Sequence, residues 1–291
     1  SHTAHPAFDK AAHYLGVDVV RVPPRADFRM DVDALVAAFD ANTIFVAGSA
    51  PQFTHGLFDQ IAEVSAIATE RDIWFHTDAC VGSYLSPFLE ELGRPVPPWD
   101  FRVPGVRSIS ADLHKYGFAP KGASMIALRN EDDQRFQIFD FDNWSRGRYL
   151  TSTVAGTRSG ANIAASWAVM RHLGRSGYRD IAARIWALRE RAIAGIETIQ
   201  DLYIVGEPDL TLMSYAARNL DINAVASGLA KRGWYTVKPS PEPLAINLGI
   251  LSLAFGAVID RYFEDLEAVV SDVREGRQVD EPERVGSYGR R

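Results

Sequence analysis

Hydrophobic and polar positions in the first 130 residues follow two alternating periods. VDVVRV (17–22), TIFVAGSA (43–50), DIWFHTDA (72–79), VRSISAD (106–112) and SMIALRN (124–130) are short, β-rich runs. Between them, MDVDALVAAFDAN (30–42) and FDQIAEVSAIATERD (58–72) place apolar residues at helical spacing, and Asp31 stands where a helix N-cap is wanted. Near-continuous apolar strands that alternate with helices predict an α/β domain on a mostly parallel, covered sheet. The chain opens on a helical stripe of Phe8, Ala11, Ala12 and Leu15. A helix that runs straight into a strand reads like the interior of a domain, so the 291 residues are expected to be part of a longer polypeptide.

From about residue 156 the texture changes. A long helical run is broken near Gly174–Gly177 and leads into shorter strands, LYIVGEP and LTLMSYAAR. The helix INAVASGLAKRGW, the strand YTVKPS and a last helix around 257–274 complete the series. This predicts a large domain over 1–173, including the connecting helix, and a smaller α+β domain over 174–291. The tail EGRQVDEPERVGSYGRR is polar and is expected to be loosely held.

Composition narrows the function classes. With 31 basic against 37 acidic residues the net charge is −6, and no basic stripe invites nucleic acid. The single cysteine, Cys80, excludes an internal disulfide and points to a reducing, cytoplasmic compartment. No apolar run approaches the roughly 18–20 residues that span a bilayer.

In open α/β sheets ligands bind beyond the carboxyl ends of the strands. Asp78 follows IWFHT, His114 and Lys115 follow SISAD, and Gln52 and His55 follow IFVAG, so polar residues gather at three such ends. A lysine in a partly desolvated pocket can form a Schiff base with an aldehyde. Pyridoxal phosphate offers that aldehyde and needs an acid to keep its ring nitrogen protonated. Lys115 suits the first role and Asp78 the second. His5, just before the first helix, is a candidate to stack on the ring. Cys80 lacks an obvious base and reads as a packed thiol.

The stretches HTDACVGSYL (76–85), SISADLHKYGFAPKGAS (108–124) and STVAGTRSG (152–160) strongly resemble the group II pyridoxal-phosphate enzymes. Within that group, and with TAHPAFDKAAHYLG (3–16) and APQFTHG (50–56), they look most like the sphingosine-1-phosphate lyases. The resemblance covers nearly the whole chain in order. It implies a fold type I homodimer with the active site at the subunit interface. It makes Lys115 the cofactor-bearing lysine, Asp78 the partner of the ring nitrogen and His5 the stacking residue. It puts His114 near the cofactor or its phosphate and Lys121 in the chemistry as a second lysine. His76 and Cys80 flank Asp78, and 152–160 approaches the partner subunit's site.

The resemblance implies a lyase that cleaves a phosphorylated sphingoid base to a long-chain aldehyde and phosphoethanolamine. The alternative is an amino-acid decarboxylase of the same group, which YGFAPKG after the lysine disfavours; a third reading is an inactive, cofactor-free fragment. Two departures matter. The family carries a Gly/Ser/Thr loop for the cofactor phosphate ahead of the stacking histidine, and no such loop occurs in these residues. Thr54 and Gln60 stand where prolines are common, and the threonine is expected to loosen a turn that proline would stiffen.

Overall fold

A computed structural model describes residues 1–235 and 243–277. Helix α1 (Ala7–Leu15) ends at Gly16, whose φ of 66° lets the chain turn out of the helix. Helix α2 (Val32–Ala37) starts where its cap predicts, with Asp31 Oδ1 accepting the Ala34 N–H at 2.9 Å. Strands β1 (Phe45–Ser49), β2 (Trp74–Asp78), β3 (Ser108–Asp112) and β4 (Ser124–Leu128) form one sheet in that order, with α3 (Ile61–Glu70) and α4 (Ser86–Glu91) between β1 and β3. The first three strands are parallel and β4 is antiparallel. Ser49, Asp78 and Ser110 lie in register, so the carboxyl ends of three neighbouring strands share one edge.

One face of this sheet is densely covered. Phe58, Ile61, Val64 and Phe75 are almost wholly buried there, and each such side chain contributes roughly 1.5–3 kcal/mol by leaving water. A Cβ at Gly48 would lie 2.7 Å from Ile61 Cδ1 and 3.0 Å from Phe75 Cζ, so glycine is what allows α3 to pack this close. The other face, carrying Phe45, Trp74, His76 and Ser108, looks into a cavity.

The expected strand at 17–22 does not form. Val17, Val19 and Val20 are exposed, and no strand among the described residues lies beside them to complete a ladder. Only Val22 turns into the core.

Beyond β4, α5 (Glu131–Gln134) leads to a hairpin of β5 (Phe139–Phe141) and β6 (Tyr149–Thr151). Helix α6 (Ala161–Thr198) is kinked at Gly174, where φ is 57° and ψ is −177°. Its Ala182, Ile185 and Trp186 join the first core, whereas Ile196 joins a second. That second core is built on β7 (Leu202–Ile204), β8 (Ser214–Ala217) and β9 (Ala245–Asn247), an antiparallel sheet. Helices α7 (Ile222–Lys231), α8 (Leu253–Gly256) and α9 (Ile259–Arg274) accompany it. Except for Tyr235, the expected strand at 235–240 lies outside the described residues, as does most of the polar tail. No helix among the described residues is long and apolar enough to cross a membrane.

Candidate active site

The cavity over the open sheet face has a volume of about 1730 Å³. His5, Asp78, Cys80, His114, Lys115 and Lys121 all line it. Residues that are far apart in sequence meet here because parallel strands bring their carboxyl ends to one edge.

Asp78 closes β2. Its Oδ1 accepts the Ser110 hydroxyl at 2.9 Å and the Cys80 backbone N–H at 3.1 Å. Two donors on one oxygen fix how the carboxylate is turned toward the cavity. The Cys80 thiol is pushed well up, first by burial and then by the Asp78 charge, so it stays a protonated packed group.

The loop from β3 to β4 carries the amines. Lys115 Nζ lies 2.9 Å from Asp112 Oδ2, an i,i+3 ion pair at the end of β3. Burial pushes the Asp112 carboxyl up, but hydrogen bonds from Ser124 and Lys115 and the Lys115 charge outweigh it, and the net shift is downward. His114 Nδ1–H donates to the Ala123 carbonyl at 3.0 Å, and its Nε2 is 3.7 Å from Asp112 Oδ2. A Cβ on Gly117 would come 2.5 Å from the Leu113 carbonyl oxygen, so the tight turn between the lysines requires glycine. Lys121 is exposed on the rim; its carbonyl accepts from Asn162 Nδ2 at 3.5 Å.

Residues beyond the kink of α6 pin this loop. The Tyr116 hydroxyl lies 2.6 Å from Thr211 Oγ1 and donates to the Leu251 carbonyl at 3.0 Å. Tyr178 donates to the Gly117 carbonyl at 2.8 Å. His5, exposed before α1, accepts the Ala7 N–H on Nδ1 at 3.1 Å.

Gln52 and His55 do not join the site. Both are buried, Gln52 Nε2 donates to the Phe28 carbonyl at 2.7 Å, and the His55 ring packs 4.8 Å from that of Phe28. The turn around Thr54 is held from outside, because Ser214 Oγ and Asn247 Nδ2 both donate to the Thr54 carbonyl. Sequence reasoning overlooked Asp112, Ser110 and Tyr116. Asp112 had a signal, an acid three residues before the lysine; the other two depend on packing.

Lys115, Asp78 and the imidazoles of His5 and His114 around one cavity fit what the aldehyde and ring of pyridoxal phosphate require. The pyridoxal-dependent decarboxylase conserved domain matches residues 1–218. A sphingosine-1-phosphate lyase of Arabidopsis thaliana is 39% identical over 272 residues, covering 94% of this chain and 50% of that protein. The structure of a Burkholderia pseudomallei sphingosine-1-phosphate lyase superposes with a TM-score of 0.89 at 38% identity, covering 94% of this chain and 63% of the other. A Lactobacillus brevis glutamate decarboxylase shares the fold with a TM-score of 0.80 at 21% identity, covering 93% and 65%. The chain spans about half the length of the curated plant lyases it matches. It belongs to the pyridoxal-dependent decarboxylase family, with the fold type I architecture of that family.

Proposed function

We propose that this chain supplies the cofactor lysine and its surroundings in a carbon–carbon lyase that cleaves a phosphorylated sphingoid base to a long-chain aldehyde and phosphoethanolamine. One observation carries this reading: His5, Asp78, His114, Lys115 and Lys121, from three separate stretches of a chain 39% identical to a protein named sphingosine-1-phosphate lyase, line a single cavity. Pyridoxal phosphate, when bound, supplies an electron sink conjugated to the carbon that bears the substrate amine. Lys115 would hold the cofactor aldehyde, and when freed its amine would return to Asp112, whose carboxylate is 2.9 Å away. Asp78 would keep the ring nitrogen protonated, and His5 would stack on the ring. His114 would sit by the cofactor, oriented through its Nδ1–H to the Ala123 carbonyl. Lys121 would meet the substrate phosphate or take up the proton of the C3 hydroxyl as the C2–C3 bond breaks.

The site is proposed to be completed in a homodimer in the cytoplasm. The β5–β6 hairpin supports an interface by exposing Phe139, Phe141, Trp144, Tyr149 and Leu150, more apolar surface than a lone hairpin needs. The test incubates the full-length protein with pyridoxal phosphate and sphinganine 1-phosphate and follows products by mass spectrometry. Aldehyde and phosphoethanolamine together are the expected outcome. Carbon dioxide from L-amino acids with no aldehyde would replace the lyase by a decarboxylase, and a protein that binds no cofactor would be neither.

A further inference from the structure

The sheet face under the cavity carries a row of polar groups that bond to one another across β2 and β3. Trp74 Nε1 lies 2.8 Å from Ser108 Oγ. Ser108 Oγ lies 2.8 Å from His76 Nδ1, His76 Nε2 lies 3.2 Å from Ser110 Oγ, and Ser110 Oγ lies 2.9 Å from Asp78 Oδ1. Register explains the spacing. His76 faces Ser108 and Asp78 faces Ser110 on neighbouring parallel strands, and residues 74, 76 and 78 share one face by the two-residue period.

The carboxylate end, together with a neutral imidazole, fixes the direction of the links. An indole N–H only donates and a carboxylate only accepts. Ser108 therefore accepts from Trp74. Ser110 donates to Asp78 and so accepts from His76 Nε2–H. The Asp78 end thus puts the His76 proton on Nε2, and in a neutral ring Nδ1 is then bare and accepts the Ser108 hydroxyl.

The far end is itself clamped. Arg107 sits 4.1 Å over the Trp74 ring and pairs with Asp133, a buried carboxylate. His76 is buried, its ring 5.9 Å from those of both Phe45 and Phe8, and the charged group acting on it is Asp78. Burial holds its imidazole down to about 4 against that charge, so at neutral pH it is a neutral relay element.

We propose that Trp74, Ser108, His76 and Ser110 form a one-way hydrogen-bond chain that ends on Asp78 Oδ1 and holds that carboxylate, in one orientation, as the partner of the cofactor ring. His76 and its neighbours are positioning residues that act through Asp78. The role toward the cofactor rests on the proposed function, whereas the direction of the chain does not.

The first measurement therefore uses full-length, cofactor-free, ¹⁵N-labelled protein, in which long-range imidazole correlations report the His76 tautomer. A single Nε2–H form between pH 6 and 8 is expected. An Nδ1–H or mixed form overturns the chain whether or not cofactor binds. The second measurement titrates pyridoxal phosphate into variants by fluorescence. Ser110→Ala and His76→Phe are expected to bind about tenfold more weakly, because a charge-assisted bond to Asp78 is lost or misdirected. Ser110→Thr keeps the hydroxyl and His76→Gln keeps a donor and an acceptor, so both are expected to bind within about threefold of wild type.

Phenylalanine preserves ring packing but not the bonds. If His76→Phe binds as tightly as wild type while His76→Gln does not, the row is a packing feature and the proposal is wrong. Failure of the wild type itself to bind pyridoxal phosphate, with the tautomer intact, would overturn the proposed function and the purpose given to the chain, but not its direction.

Discussion

Lys115 and Asp112 form an ion pair with 2.9 Å between Nζ and Oδ2, at the end of the strand that delivers the lysine to the cavity. The pair gives the amine a defined resting place three residues from a fixed strand terminus. Its acidic member is partly buried, and its carboxyl is held below the usual carboxylate range chiefly because hydrogen bonds and the Lys115 charge overcome burial. A carboxyl lowered in this way stabilises the fold fully above its unfolded value, about 3.9, and loses that contribution as pH falls through the lower folded value. The stability gap between wild type and Asp112→Asn is therefore expected to be constant above about pH 5 and to close below about pH 4. Urea unfolding across that range checks it, and a gap that widens on acidification would contradict the pairing.

The two lysines are expected to separate in function. Lys115→Ala should abolish covalent cofactor attachment, read as a pyridoxyl adduct by mass after borohydride reduction, together with turnover. Lys121→Ala should keep the adduct and lose about a hundredfold or more in turnover, the lower end for one positioned proton-transfer or charge-stabilising group. Unchanged turnover in Lys121→Ala would make Lys121 an ordinary rim residue.

Strands β1 to β4, helices α1 to α3, α6, α7 and α9, and the convergence of Asp78, His114 and Lys115 were legible because strand–helix alternation fixes which strand ends meet. The reversal of β4 was not, since an apolar run has the same pattern in either direction. Residues 17–22 have strand composition, but a ladder needs a neighbour that composition cannot supply. Gln52 and His55 read as site residues because they follow a strand. Their side chains turn inward because Phe28 and Leu212, distant in sequence, pack around that loop. The ordered row under Asp78 was invisible for the same reason: an alternating strand shows which residues share a face, not which bond across strands.

Tyr116 links the lysine loop to residues beyond the kink of α6, and its hydroxyl is buried between Thr211 and the Leu251 carbonyl. Tyr116→Phe leaves both without that partner and is expected to cost about 1–3 kcal/mol in urea unfolding. Because Lys115 is the adjacent residue, cofactor adduct formation should slow as well. Stability lost with adduct formation unaffected would show that the Tyr116 contact does not position the lysine.

His55 offers a pH signature away from the cavity. It is buried against Phe28, and its Nδ1 has no hydrogen-bond partner among the described residues. Burial pushes its imidazole down to about 4, and the same cause holds His76 at about 4. In the unfolded chain an imidazole titrates near 6.5, so between about pH 6.5 and 4 the unfolded state binds protons that the folded state refuses. Stability is then full above about pH 6.5 and falls as pH drops toward 4, by up to about 3 kcal/mol for each histidine at 1.36 kcal/mol per pH unit. His55→Leu removes one of the two contributions while keeping an apolar side chain against Phe28. The variant is expected to gain on the wild type as pH falls from 7 to 4.5, because its own stability falls less steeply over that range. Urea midpoints measured at pH 7, 6, 5 and 4.5 read this directly, and a variant whose pH slope matched the wild type would show that His55 charges freely in the folded protein.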